Sequence, residues 1–153
     1  MTTDKSKTVT ASIRLLNEKL HFEGKVDGNE PISIDYTPPL GDNLGYTSLE
    51  LLLLSLSSCV GSAMLVVLRK MQKQVQNLKI VSKGIRRQEH PTGFESISLE
   101  ILVQSGNISL DDMEKVTHLI EGLCPVISMV KGNVVISYSF TINQEETKVL
   151  HKS

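Results

Sequence analysis

The sequence has little of several residue types, and each shortage excludes a class of protein. It has no tryptophan and only two cysteines among 153 residues, far too few for a disulfide-stabilised scaffold. Its 16 lysines and arginines nearly balance 17 aspartates and glutamates, so no strong field favours nucleic acid or an anionic membrane as a partner. No secretory leader pattern opens the chain, and we therefore expect a reducing, cytoplasmic setting.

Several common catalytic motifs are also missing. The sequence contains no glycine-rich phosphate loop, no G-x-S-x-G elbow and no C-x-x-C pair. Its four histidines are scattered, at His21, His90, His118 and His151, and none lies beside a cysteine. We therefore expect neither a metal site nor a bound cofactor.

Length and hydrophobicity favour one soluble domain. The 153 residues, 40% of them hydrophobic, are enough for a single buried core. We expect that domain to span residues 1–153, with an ordered core over about residues 9–142. Residues 1–7 and 144–153 are polar or charged and are predicted to be tails.

One long apolar stretch, Thr47 to Gln72, is predicted to be the central helix. Thr47 and Glu50 form a capping box at its start, and its leucines, valines and methionines fall on every side, which predicts a helix covered all round. A membrane span is the alternative, because Leu49 to Leu68 has the necessary length. Glu50 and small residues around Cys59 argue against it. Those small residues, which would let another helix approach closely, are Ser55, Ser58, Gly61 and Ser62.

The flanking segments predict strands on both sides of this helix and two further helices after it. Alternation and turn residues indicate three strands before the helix, two directly after it and a last strand near the C-terminus. Between the later strands lie an amphipathic helix opened by Ser109 and a short helix begun by Pro125. The predicted strands are Val9–Leu16, Lys19–Glu23, Ile32–Tyr36, Leu78–Arg87, Phe94–Gln104 and Val134–Ile142.

The two cysteines are the candidate reactive groups. Cys59 lies in the middle of the long helix, where apolar surroundings would keep a thiol inert, so the residues alone favour a packing role over a reactive one. Cys124 immediately precedes Pro125, and this places its sulfur at a helix N-terminus, where peptide dipoles stabilise a thiolate. The spacing of the two cysteines does not by itself pair them.

Glu50 and Arg86 each have a structural and a functional interpretation. Glu50 is explained by the capping box alone. Arg86 reads first as an exposed strand end, yet it shares strand parity with Leu78 and Ile80. If that parity holds, Arg86 points inward and brings a permanent cation toward Cys59 or Glu50, which would lower a thiol pKa.

Three motifs together resemble the OsmC/Ohr family of osmotically inducible and organic-hydroperoxide-resistance proteins. They are S-L-E-L-L-L-L-S-L-S-S-C from Ser48, R-R-Q-E-H-P from Arg86 and L-C-P-V from Leu123. The resemblance implies an α+β, OsmC-like fold, with antiparallel sheets wrapped around a long buried central helix, and an intertwined homodimer. It also implies a thiol peroxidase that reduces organic hydroperoxides.

Carried over to this sequence, the resemblance assigns roles to individual residues. Cys59 would attack the peroxide and become a sulfenic acid, and Cys124 would resolve it as a disulfide. An external dithiol, carried as a lipoyl group on a partner protein, would restore both thiols. Glu50 would hold an activating arginine, for which Arg86 and Arg14 are the candidates because the family's Gly-Gly-Arg stretch is missing. On a straight helix, however, Glu50 and Cys59 point to opposite sides.

Two other hypotheses remain open from the sequence. The missing Gly-Gly-Arg stretch fits a non-catalytic OsmC-like dimer that binds an apolar ligand or senses oxidation. A purely structural interpretation takes Cys59 and Cys124 as packing residues, and it predicts sulfurs too far apart to bridge and no arginine near Cys59.

Overall fold

The architecture comes from a computed structural model that describes residues 5–144 and 146–152. Its contacts divide the chain into two compact units, residues 1–51 and 52–153, and the single-domain assignment stays a prediction. The elements in chain order are β1 (Ala11–Leu15), β2 (Phe22–Val26), β3 (Ile32–Ile34), α1 (Ser48–Lys70), β4 (Asn77–Arg86), β5 (Phe94–Gln104), α2 (Leu110–Ile120), α3 (Pro125–Val130), β6 (Val135–Ile142) and β7 (Glu146–Lys152).

The first unit contains an antiparallel meander in the order β1-β2-β3. The predicted N-terminal hairpin is present, but its connection is longer than Asn17-Glu18. The Asn17 side chain accepts the backbone N–H groups of Lys19 (3.0 Å) and His21 (3.2 Å), and this local bonding competes with strand pairing. The second strand therefore starts at Phe22 rather than Lys19.

A buried carboxylate organises the loop before α1. Asp35 is 2% exposed and accepts the backbone N–H groups of Tyr36 (2.7 Å), Asp42 (3.1 Å) and Leu44 (3.0 Å). Burial opposes ionisation of this carboxyl, but the three hydrogen bonds outweigh it, so its pKa lies below the ordinary value. Asp35 thus fixes a loop that the sequence marks only by its Pro and Gly residues.

Helix α1 begins at the predicted capping box. The Thr47 N–H donates to Glu50 Oε2 (2.7 Å), and the Glu50 N–H donates to Thr47 Oγ1 (3.3 Å). Beyond this first turn one face of the helix is buried, at Leu56, Val60, Gly61, Met64, Val67 and Leu68.

The described residues of this chain leave the opposite face of α1 uncovered, so a single chain does not give the expected burial on every side. The exposed residues of this face are Leu54, Ser55, Ser58, Ser62 and Val66. Gly61 is not among them. A Cβ at Gly61 would lie 3.3 Å from Ile80 Cδ1 and 3.8 Å from Leu78 Cδ2, so its small size serves packing against β4 and not the approach of a second helix.

By length and composition α1 would also pass as a membrane span, with a mean hydropathy of 2.3. The core helix of a soluble protein passes the same test. Its buried face and the approach of Gly61 to β4 are what a core helix requires.

The second unit has a four-stranded sheet in the order β4-β5-β6-β7. One neighbouring pair departs from the antiparallel expectation: β5 and β6 run parallel, because α2 and α3 carry the chain back between them. The inward face of this sheet is fully buried, at Ile97, Leu99, Ile101, Val103, Ile136, Tyr138, Phe140 and Ile142.

Helix α2 starts where Ser109 predicts. Ser109 Oγ accepts the Asp112 N–H (3.2 Å), and Asp112 Oδ2 accepts the Ser109 N–H (2.9 Å), which completes a capping box. Asp112 also pairs with Lys73 Nζ at 2.9 Å. The segment after α1 is thereby joined to the start of α2.

The C-terminal segment is not the tail that its charge predicts. Residues Glu146–Lys152 form β7, which pairs antiparallel with β6 from Ile142 back to Ile136. An edge strand buries little side-chain surface and often carries charge, so hydropathy does not reveal it. In the predicted N-terminal tail, residues 5–7 form a turn, while residues 1–4, 145 and 153 of the predicted tails lie outside the described residues.

Candidate active site

Cys59 lies at the edge of the uncovered face of α1. Helical spacing places it between the exposed Ser55 and Ser62 on one side and the fully buried Leu56 on the other. Its side chain is half-buried. The expectation of a thiol enclosed in apolar surroundings is therefore wrong for this chain, because its described residues leave this side of the helix uncovered.

A groove of about 530 Å³ runs along Cys59. Helix α1 forms one wall, and the turn between α2 and α3 forms the other. Its residues are hydroxyl-bearing or apolar: Ser55, Ser58, Cys59, Ser62, Ala63 and Val66 on α1, with Leu123, Pro125 and Val126 opposite. Such a lining accepts an apolar molecule and offers it hydroxyl groups but no charge.

Cys124 is placed by the start of α3, as its position before a proline predicts. It is the N-cap residue, with Pro125 in the first helical turn. Its own N–H donates to Ile120 O at 2.8 Å, and its Sγ accepts the Ile127 N–H at 3.5 Å. The side chain is 2% exposed, so bonds on both sides hold this sulfur in a buried position.

The Cys124 thiol is not activated by its helix terminus. Burial, followed by a hydrogen bond with Cys59, raises its pKa from 9.0 to about 11, although the Ile127 N–H acts in the opposite direction. The sequence predicts a stabilised thiolate here, and that prediction is wrong. A six-residue helix has a small dipole, and its effect is weaker than the desolvation of a buried charge.

The two thiols lie side by side. Cys59 is near enough to Cys124 to help raise the pKa of the Cys124 thiol, and both are free cysteines. The structural hypothesis predicts sulfurs too far apart to bridge, which the nearness of the two thiols disfavours, and no arginine near Cys59, which agrees with the described lining of the groove. The approach brings a residue of the long helix against the α2–α3 turn, a tertiary contact that the spacing of the two cysteines does not reveal.

Arg86 does not point inward. A register shift between Ile85 and Arg86 interrupts the alternation of β4, so the parity argument is wrong. Arg86 is exposed, and its guanidinium donates to Thr92 O (Nε, 2.8 Å) and Thr92 Oγ1 (Nη2, 2.6 Å). Among the described residues, no arginine lines the Cys59 groove. The role of Arg86 in activating Cys59 stays a prediction.

The other two predicted site residues belong to the first unit. Glu50 is in its capping box with Thr47. Arg14 is exposed on β1, where its Nη2 lies 3.1 Å from Glu23 Oε1 on β2. Each therefore has a local partner, and the catalytic roles assigned to Glu50 and Arg14 stay predictions.

Tyr138 is a neighbour of this site that sequence reasoning missed. It lies on β6, is 1% exposed, and its hydroxyl has no hydrogen-bond partner among the described residues. Burial, then the charges of Glu121 and Cys124, raises the pKa of its phenol. The alternation of β6 predicts that Tyr138 points inward but contains no signal that its hydroxyl faces the Cys124 region.

Metal chemistry has no candidate site in the described part of the chain. Within residues 5–144 and 146–152, no three histidine, cysteine, aspartate or glutamate side chains cluster closely enough to hold an ion.

The fold and the paired thiols define an α+β protein with a two-cysteine centre. Residues 41–139 match the family model described as OsmC-like protein, so this chain belongs to the OsmC-like family, and the resemblance found in its motifs is confirmed. No curated protein matches the sequence.

Solved structures agree with this assignment. A hypothetical protein from Aquifex aeolicus VF5 is 28% identical, with a TM-score of 0.78 over 92% of this chain and 99% of that one. An OsmC-like protein from Mycoplasma pneumoniae is 21% identical, with a TM-score of 0.75 over 92% and 99%. The organic hydroperoxide resistance protein OhrB of Bacillus subtilis is 17% identical, with a TM-score of 0.64 over 88% and 98%. At 21% and 17% identity the likeness shows the fold alone.

Proposed function

We propose that this protein is a cytoplasmic thiol peroxidase that reduces organic hydroperoxides through Cys59 and Cys124. The observation that carries the proposal is the contact between a groove-lining thiol and a buried thiol. A peroxide entering the groove would meet Cys59 first, since Cys124 is 2% exposed. The apolar lining of the groove favours an alkyl hydroperoxide over hydrogen peroxide.

The proposed reaction has three steps. The Cys59 thiolate attacks one peroxide oxygen, the O–O bond breaks, and the alcohol leaves with a proton while Cys59 becomes a sulfenic acid. Cys124 then attacks the Cys59 sulfur, and water leaves as the disulfide forms. An external dithiol, lipoyl-linked on a partner protein, then reduces this disulfide by thiol–disulfide exchange. Both cysteine thiols are restored, and the dithiol is itself oxidised to a disulfide. No cofactor is retained by the protein.

We further propose that the protein acts as a homodimer. The uncovered face of α1 carries large apolar side chains next to small ones, with Leu54 52% and Val66 49% exposed. Ser55, Ser58 and Ser62 between them would let a second α1 pack closely. A second copy would also bring another set of arginines to Cys59, and this offers a cation that the lining residues of one chain lack.

The test is hydroperoxide consumption with dihydrolipoamide as reductant. The wild type should turn over many equivalents, and Cys59→Ser none. With the reductant left out, Cys124→Ser should consume one equivalent and stop at the sulfenic acid, because this chain then has no second thiol to form the disulfide. Ser128→Ala is a matched control, since Ser128 is an exposed residue of α3 whose hydroxyl bonds only Pro125 O. Full turnover by Cys59→Ser would refute the proposal.

A second candidate function is a redox sensor or apolar-ligand carrier on the same fold. It is favoured by one observation, the absence of any basic side chain among the described residues that line the Cys59 groove. In that case the Cys59 thiol would react no faster with hydroperoxide than a free thiol does. Native mass spectrometry would then find an apolar molecule retained by the protein.

A further inference from the structure

A second groove, of about 810 Å³, lies at the end of the second unit opposite to the start of β4. It is formed by the β4–β5 connection and the turn before β6. The ring of Phe94, 7% exposed, lies across Gly84, where an added Cβ would overlap it. The register shift next to Phe94 turns the following residues out of the regular alternation. Neither cysteine lines this groove.

Two adjacent arginines are held in this groove by neutral acceptors. Arg86 is fixed by its two bonds to Thr92. Arg87 Nη2 donates to Asn133 O at 2.6 Å, while its backbone N–H donates to Gly93 O at 2.8 Å. Both guanidinium groups are therefore oriented before any ligand arrives, and each retains further N–H groups for a ligand.

These two cations have no ionic partner in the part of the chain that the structure describes. None of the ion pairs found there includes Arg86 or Arg87. Glu89 and Glu95 also line the groove, but neither is within ion-pair distance of the guanidinium groups. Two neighbouring cations that are not paired with either carboxylate favour an anion that both can contact.

The remainder of the groove is part polar, at Gln88, Glu89, His90, Glu95 and Asn133, and part apolar. Ile85 is 51% exposed, and Pro91, Phe94 and Val134 line the groove as well. An inorganic ion would leave this surface bare, whereas an organic anion would cover it. The volume falls within the range of small-molecule sites, roughly 300–1,000 Å³.

We propose that this groove binds an amphiphilic organic oxyanion, a carboxylate or phosphate monoester whose acidic group is held by Arg86 and Arg87 and whose apolar part lies on Ile85, Phe94 and Val134. This site is separate from the thiol centre and does not depend on the proposed peroxidase activity. It gives the R-R-Q-E-H-P motif a binding function of its own.

The test is calorimetric titration of the full chain with octanoate, octyl phosphate and octanol. Octanoate or octyl phosphate should bind with one site per chain, and the tighter of the two identifies the acidic group. Octanol should bind about tenfold or more weakly, because it offers no charge to the guanidinium groups. Arg86→Gln and Arg87→Gln should each weaken anion binding by about tenfold or more. Lys83→Gln, an exposed charge change on β4 outside the groove, should leave it unchanged.

Three further measurements keep the result interpretable. Val134→Glu should weaken anion binding without touching either arginine, so a loop disturbed by the arginine substitutions is not mistaken for lost recognition. The backbone amide signals of Gly93 and Asn133 should shift on titration, and Cys59→Ser should bind as the wild type does. Binding that survives both arginine substitutions, octanol binding as tightly as the anions, or shifts confined to residues 55–66 would each overturn the proposal.

Discussion

Replacing Cys124 should remove a specific loss of stability at alkaline pH. Folding raises the pKa of this thiol from 9.0 to about 11, so the folded state favours the protonated form. The resulting stabilisation is fully present below pH 9.0 and is lost as the pH rises through about 11. Between neutral pH and about pH 10.5, one group with this pKa shift lowers the free energy of unfolding by about 2 kcal/mol.

The assay is urea unfolding of the wild type and Cys124→Ser, in a non-thiol reductant, at pH about 7.5 and about 10.5. Both proteins lose stability in alkali through their shared groups, and the raised pKa of the Tyr138 phenol contributes to both. The free energy of unfolding of the wild type should fall by about 2 kcal/mol more than that of Cys124→Ser. Equal losses would refute the account of Cys124 as a buried, protonated thiol.

Two other substitutions test the packing that positions the grooves. Gly84→Ala should lower the free energy of unfolding by about 1–3 kcal/mol, because its Cβ would overlap the Phe94 ring. Gly93→Ala is the control and should leave stability unchanged, since the space around Gly93 is open. Equal urea-unfolding midpoints for the two variants would contradict this. Ser109→Ala should lower the free energy of unfolding by about 1 kcal/mol, because it removes the N-cap of α2. Ser98→Ala, at an exposed serine, is the control. An unchanged urea-unfolding midpoint for Ser109→Ala would contradict the capping role.

Local sequence signals predicted the elements that carry the two thiols. The capping box at Thr47 and the apolar run after it define α1, and strand alternation locates β5 at its observed bounds, Phe94–Gln104. The serine before α2 and the proline after Cys124 mark two more helix starts. Each of these signals acts within a few residues, where propensity and capping decide the structure.

The failures arise where distant residues decide the outcome. The pKa of Cys124 depends on burial by elements far along the chain, which outweighs the local helix terminus. The direction of Arg86 depends on a register shift opposite Phe94, and a strand pattern read alone does not contain that shift. The β7 strand depends on the free edge of β6, so its own polar sequence gives no indication of it.

The most direct test of the central claim is to locate the oxidised sulfurs after one equivalent of tert-butyl hydroperoxide. Peptide mapping by mass spectrometry under denaturing, alkylating conditions separates the outcomes. The wild type should contain a Cys59–Cys124 disulfide within one chain, and Cys124→Ser should carry a single added oxygen on Cys59. Oxidation that begins at Cys124, or two thiols left unmodified while the peroxide persists, would contradict the proposed chemistry.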